Sequence, residues 1–185
     1  MLQVLPTALR DVKLIQFSRF YDDRGWFSEV FNRDAFARAG LPGDFVQDNQ
    51  SFSSRGVLRG LHYQLGRPQG KLIRCLRGCI WDVAVDLRRD SPDFGRHVGL
   101  QLQPPSDHDE LQMLWIPEGF AHGFLVLSDS VEVLYKTTDF YHPAGERTIR
   151  WNDPDLGIPW PLGQEIPILS SKDAHAVSFR EAELL

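Results

Sequence analysis

Gly56-Val57-Leu58-Arg59-Gly60-Leu61-His62-Tyr63-Gln64 and Pro117-Glu118-Gly119-Phe120-Ala121-His122 decide the fold. In the first, a glycine and five further residues lead to a histidine. In the second, Pro-x-Gly and two further residues do the same. In both, a turn-forming glycine opens an apolar strand that ends on an imidazole. The segments around them have the same grain. Lys71 to Arg77 reads as a strand closed by Gly78, and Ile80 to Leu87 as another closed by Arg88-Arg89-Asp90-Ser91-Pro92. His97 to Gln103 stops at Pro104-Pro105, and Leu111 to Ile116 stops at Pro117. His122 to Leu127 and Val131 to Thr138 flank Ser128-Asp129-Ser130, which reads as a hairpin turn. Short strands at this spacing predict a sandwich or barrel, the double-sheet jelly roll included.

Helices are few. Asn32 to Ala39 reads as one, with Asn32 as N-cap and Gly40 just past the end. A short C-terminal piece begins at Ser170. The 185 residues suit one domain, with a core over about 22–153 and a looser C-terminal arm over 154–185. Hydrophobic residues make up 42% and charged residues 24%, as in globular proteins generally.

A net charge of −5 argues against non-specific nucleic-acid binding, which needs a basic surface. Sixteen arginines against four lysines leave room for a local anion site. Cys75 and Cys79 match no zinc spacing, and a disulfide between them on one strand would be badly strained. With no signal-like N-terminal segment and no apolar run long enough to span a bilayer, a cytoplasmic protein without membrane partners is expected.

Alternation assigns faces. Tyr135 lies with Val131, Val133 and Thr137, and Asp82 and Asp86 lie with Ile80 and Ala84. Strict alternation puts Arg59 opposite His62, but Gly60 between them can host a bulge that re-aims a side chain. A strand histidine of this kind is either a satisfied core residue or, with an ordinary pKa near neutrality, a base.

The two opening stretches resemble the signature motifs of cupins. The second is complete through His122. The first is broken, because Gln64 stands where a second histidine belongs and no Glu follows in Gly66-Arg67-Pro68-Gln69. A first-row transition metal wants several imidazole and carboxylate donors, so neither metal nor cofactor is expected. The expected fold is all-β, a cupin-type jelly-roll β-barrel with a few short helices and the C-terminal arm.

Further segments narrow the resemblance. Gln47-Asp48-Asn49, Lys71 to Cys75, Asp82 to Arg88, Trp115 to Phe124, Tyr135 to Thr138, Trp151 to Pro154 and Leu169 to Asp173 stand in order with the first stretch. Together they resemble the dTDP-4-dehydrorhamnose 3,5-epimerases from about Asp22 to Asp173. The resemblance implies a dTDP-4-keto-6-deoxy sugar nucleotide as substrate, with carbons 3 and 5 inverted beside the ketone at carbon 4. It implies His62 as base, Asp173 as the carboxylate that orients it, Tyr135 as acid on the other face and Lys71 beside the developing enolate oxygen. Ser170 followed by an acid three residues on is also capping-box-like, which gives Asp173 a second reading.

Arg24, Glu29, Gln47, Asn49, Arg59, His122, Glu146 and Lys172 are the implied substrate contacts. Arg59 and His122 suit the diphosphate. Arg24 and Glu29 are implied to reach over from a partner subunit of a homodimer. Trp26 and Phe27 either stack on the base or belong to a core, and Asp82 reads as a partner for a neighbouring cation. The chain departs from many members at Gln50-Ser51-Phe52, where His-Ser-basic is usual, and in a longer 104–110 loop. Both departures bear on whether one carbon or two is inverted. The competing readings are a single-carbon epimerase, a metal-dependent cupin and a binding module without chemistry.

Overall fold

The computed structural model describes residues 2–106 and 109–185. Thirteen strands and two short α-helices follow one another among these residues. The strands are β1 (Leu2–Pro6), β2 (Lys13–Phe17), β3 (Phe20–Asp22), β4 (Gly25–Phe27), β5 (Gln47–Ser54), β6 (Leu58–Gln64) and β7 (Lys71–Arg77). They continue as β8 (Ile80–Asp86), β9 (His97–Leu102), β10 (Leu111–Ile116), β11 (Phe120–Val126), β12 (Ser130–Thr137) and β13 (Glu146–Thr148). Helix α1 is Arg33–Arg38 and α2 is Ser171–Ala174. Asn32 caps α1 by accepting from the Ala35 amide, and Gly40 follows at φ +71°.

A six-stranded sheet runs β1-β2-β10-β7-β12-β5 and a five-stranded sheet runs β13-β6-β11-β8-β9. All their pairings are antiparallel. The all-β, cupin-type expectation holds, but the two sheets face each other without closing into a continuous barrel. One expectation fails. Ser128-Asp129-Ser130 is no hairpin turn, because β11 and β12 lie in different sheets. The turn crosses the edge of the sandwich beside the β7–β8 crossing. There Ser128 Oγ accepts from the Cys79 amide and donates to the Ser130 carbonyl.

Period-two alternation sorts the apolar residues into three layers. Between the sheets lie Ile73, Leu114, Val131 and Val133 of one and Ile80, Ala84, Phe120 and Phe124 of the other. The outer face of the six-stranded sheet, with Ile15, Phe17, Leu72 and Met113, is covered by Phe36 of α1. The outer face of the five-stranded sheet, with Leu61, Tyr63, Val83 and Val85, is covered by Leu156, Phe179 and Ala182. Packing therefore extends beyond residues 22–153 at both ends. Tyr63 OH donates to the Glu183 carbonyl, which ties the arm to the back of β6. Among the described residues no helix is long and apolar enough to cross a membrane.

Candidate active site

The site depends on the irregularity in β6. His62 pairs with His122 on β11 and Arg59 with Phe124, so three residue steps on β6 match two on β11. The extra residue is a bulge, and it turns Arg59 to the same side as His62. Gly60 has φ +123°, and a Cβ there would stand 2.5 Å from Gly123 Cα and 2.8 Å from the His122 carbonyl. Glycine at 60 is required both by its backbone angle and by this close crossing of β6 over β11.

The resulting cavity has a volume of about 380 Å³ between the sheets. His62, Arg59 and His122 line it from the five-stranded sheet, with Glu146 at the start of β13. Gln47, Asn49, Lys71 and Tyr135 line it from the six-stranded sheet. Lys172 comes from α2. His62 and Tyr135 thus stand on facing walls of one cavity.

Asp173 reaches His62 from the arm. Ile168 exchanges backbone bonds with the start of β6, donating to Gly56 and accepting from Leu58, and this sets α2 against the strand. Asp173 Oδ1 then lies 2.6 Å from His62 Nε2. Its Oδ2 accepts from Ser170 Oγ at 2.8 Å, and its amide donates to that same oxygen. One side chain thus makes both the helix-cap contact and the imidazole contact. Burial pushes the Asp173 carboxyl up, but the His62 interaction, the Ser170 hydroxyl bond and the Lys172 charge carry it below its ordinary value. An ionised carboxylate only accepts, so Nε2 carries the proton and Nδ1 is the basic nitrogen. Burial lowers the imidazole's pKa, against the upward pull of Asp173.

Lys71 is 7% exposed, and burial pushes its pKa down to about 8, with Asp82 and Glu146 opposing. Its Nζ donates to the His62 carbonyl at 3.2 Å. Tyr135 is raised by burial, with Arg59 pulling it down. Asp82, fully buried, holds His122 Nε2 with both oxygens at 3.0 Å. Asp82 thus bonds the His122 ring directly and acts on the Lys71 ammonium through its charge. Asp86 instead pairs with Arg88 and accepts from Ser91.

At the rim, Lys172 Nζ donates to Glu146 Oε1 at 2.6 Å and Tyr141 OH to Oε2 at 3.1 Å. Gln47 Nε2 donates to Asn49 Oδ1. Gln64 donates to the Arg67 and Phe140 carbonyls and accepts from the His142 amide. The amide in the broken cupin position is thus engaged with backbone. Among the described residues no three His, Cys, Asp or Glu side chains gather as a metal cluster.

Arg24 and Glu29 are not in this cavity. Arg24 is exposed on the β3–β4 hairpin, paired with Asp22, and Glu29 accepts from Asn32. Trp26 and Phe27 are exposed on the same hairpin, so neither belongs to the core of this chain. Phe52 is exposed on the outer face of β5, while Asp107 and His108 of the 104–110 loop lie outside the described residues. The sequence reading missed Tyr141, Gln69 and Ser51, which also line the cavity. Tyr141 and Gln69 lie outside the strands, where no alternation marks a facing.

The family model for dTDP-4-dehydrorhamnose 3,5-epimerase matches residues 6–181. A dTDP-4-dehydrorhamnose 3,5-epimerase of Pseudomonas aeruginosa is 54% identical over 177 residues, covering 95% of each chain. The crystal structure of a dTDP-6-deoxy-D-glucose-3,5-epimerase from Legionella pneumophila, in complex with dTDP-4-keto-L-rhamnose, superposes with a TM-score of 0.91 at 43% identity. The match covers 99% of this chain and 95% of that one. A 3'-monoepimerase from Streptomyces bikiniensis, in complex with dTDP-quinovose, gives a TM-score of 0.82 at 33% identity, over 94% of this chain and 86% of that one. Two facing sheets, a bulged histidine strand and a match over nearly the whole length agree: the chain belongs to the dTDP-4-dehydrorhamnose 3,5-epimerase family.

Proposed function

We propose that this protein inverts carbons 3 and 5 of dTDP-4-dehydro-6-deoxy-D-glucose, giving dTDP-4-dehydro-L-rhamnose for dTDP-L-rhamnose biosynthesis. The observation that carries the reading is the placement of His62 and Tyr135 on facing walls of one cavity. His62 Nδ1 takes the proton from a carbon flanking the ketone, and the electron pair of that C–H bond moves to the ketone oxygen. The Lys71 ammonium stabilises the enolate oxygen; losing a donor of this kind costs about 3–4 kcal/mol of barrier. The enolate collapses as Tyr135 delivers a proton to the opposite face, which inverts the centre. Solvent then takes the proton from His62 and reprotonates Tyr135. Both carbons flank one ketone, so one acid and one base serve each in turn.

Arg59 and His122 bind the diphosphate, and Gln47, Asn49, Glu146 and Lys172 hold the rest of the sugar nucleotide. A homodimer supplies Arg24 and Glu29 to its partner's site. That arrangement is supported by the β3–β4 hairpin, which stands away from this chain's cavity with Phe20, Tyr21, Trp26 and Phe27 exposed. The chain works as one unit in the cytoplasm, with no cofactor. The rival reading, inversion of a single carbon, draws on the likeness to the Streptomyces monoepimerase. Turnover of the keto sugar nucleotide in heavy water, followed by NMR, separates them. Deuterium and inversion at both carbons support the proposal, and label with inversion at one carbon alone supports the rival.

A further inference from the structure

Four residues of β5, Gln47, Asn49, Ser51 and Ser53, alternate toward the space between the sheets. Three of the four have side-chain partners. Gln47 and Asn49 bond each other, and Ser53 Oγ accepts from Arg59 Nε at 3.0 Å. Ser51 Oγ is buried and has no hydrogen-bond partner among the described residues, although Ser51 lines the cavity. A buried hydroxyl left unpaired is costly, and such groups in native proteins ordinarily have a purpose. A staggered rotation about χ1 is enough to turn a serine oxygen between neighbouring directions.

Register places this hydroxyl along the cavity. Asn49 pairs with Tyr135, Ser51 with Val133 and Ser53 with Val131. Ser51 is therefore one rung beyond the acid and one rung short of the serine that holds Arg59. On the reading proposed above, the ketone lies at Lys71 and His62 and the diphosphate at Arg59. Along the ring edge from carbon 1, which bears the diphosphate, to the reacting carbon 3 beside the ketone, the atom passed is carbon 2 with its hydroxyl. Phosphate already has an arginine, whereas a neutral hydroxyl that both donates and accepts matches another hydroxyl.

We propose that Ser51 is a specificity-determining contact that hydrogen-bonds the carbon-2 hydroxyl of the bound sugar, so that the unpaired oxygen is satisfied only in the complex. The inference rests on the epimerase reading. A site whose hydroxyl is left unpaired by the wrong ligand rejects that ligand.

The test is calorimetric binding of dTDP, dTDP-glucose and dTDP-2-deoxyglucose to wild type and Ser51→Ala, with a melting curve for each protein. The variant is expected to bind dTDP-glucose about tenfold more weakly, the worth of one ordinary hydrogen bond. It should bind dTDP and the 2-deoxy sugar nucleotide within about twofold of wild type, and its melting temperature should be unchanged or higher. Unchanged affinity for dTDP-glucose, or an equal loss for dTDP and dTDP-glucose, overturns the assignment. So does a lowered melting temperature with equal losses for all three ligands. Failure of wild type to bind any of them counts instead against the epimerase reading.

Discussion

Asp173 places Oδ1 2.6 Å from His62 Nε2 across 111 residues of chain, and Asp173 is only 3% exposed. The pairing fixes which ring nitrogen carries the proton and leaves the other free to act as a base. Asp173→Asn keeps the shape but lets the amide favour the wrong tautomer. Turnover should fall by about 10²–10⁴, with dTDP affinity unchanged, as read by steady-state kinetics and calorimetry. A loss of binding equal to the loss of turnover would mean that Asp173 only caps α2.

The pH profile of kcat/KM should be a bell. His62 must be neutral to accept a proton, and burial lowers its pKa, so the rising limb should lie below the ordinary histidine value. Lys71 must be charged to hold the enolate, so the falling limb should lie at about 8. Burial raises Tyr135, which leaves the phenol protonated through that range. In Lys71→Met the residual activity should lack the limb near pH 8.

The same lysine is a load on the fold. Its pKa of about 8 lies below the ordinary lysine value of 10.5, so between these values the unfolded chain holds more protons and stability rises with pH. At neutral pH the buried charge costs about 3 kcal/mol. Lys71→Met should therefore raise the free energy of unfolding by a few kcal/mol while abolishing most turnover. Denaturant titrations at pH 7 and pH 10 measure this, and the gain should shrink at the higher pH.

Gly60→Ala should lower stability by about 3 kcal/mol or more, because the residue has φ +123° and its Cβ would meet the backbone of β11. Thermal melts measure it. Gly56→Ala is the control, since it shares the positive φ but meets nothing within 4 Å. Its cost should be smaller.

How much of this the sequence carried depended on the kind of signal. Alternation placed Tyr135 toward the cavity and Asp82 on the inner face with Ile80 and Ala84, and Gly60 marked the bulge that brings Arg59 beside His62. The capping pattern at Ser170 located α2. Ser128-Asp129-Ser130 misled, because turn residues look the same whether the chain returns within a sheet or crosses to the opposite one. Strands β1 and β2 lack a strong signal of their own; β2 forms by pairing with β10, and β1 by pairing with β2. Tyr141 was not legible, because its stretch carries no periodicity and is positioned by its amide bonding Gln47 Oε1.

The central claim is that base and acid act from opposite faces of one bound keto sugar. The direct measurement is NMR of the dTDP-4-keto sugar in heavy water with His62→Ala and with Tyr135→Phe. His62→Ala should neither exchange nor invert carbons 3 and 5. Tyr135→Phe should still exchange deuterium at those carbons while inverting them at least about 100-fold more slowly. Retained exchange in His62→Ala, or inversion at the wild-type rate in Tyr135→Phe, would contradict the account.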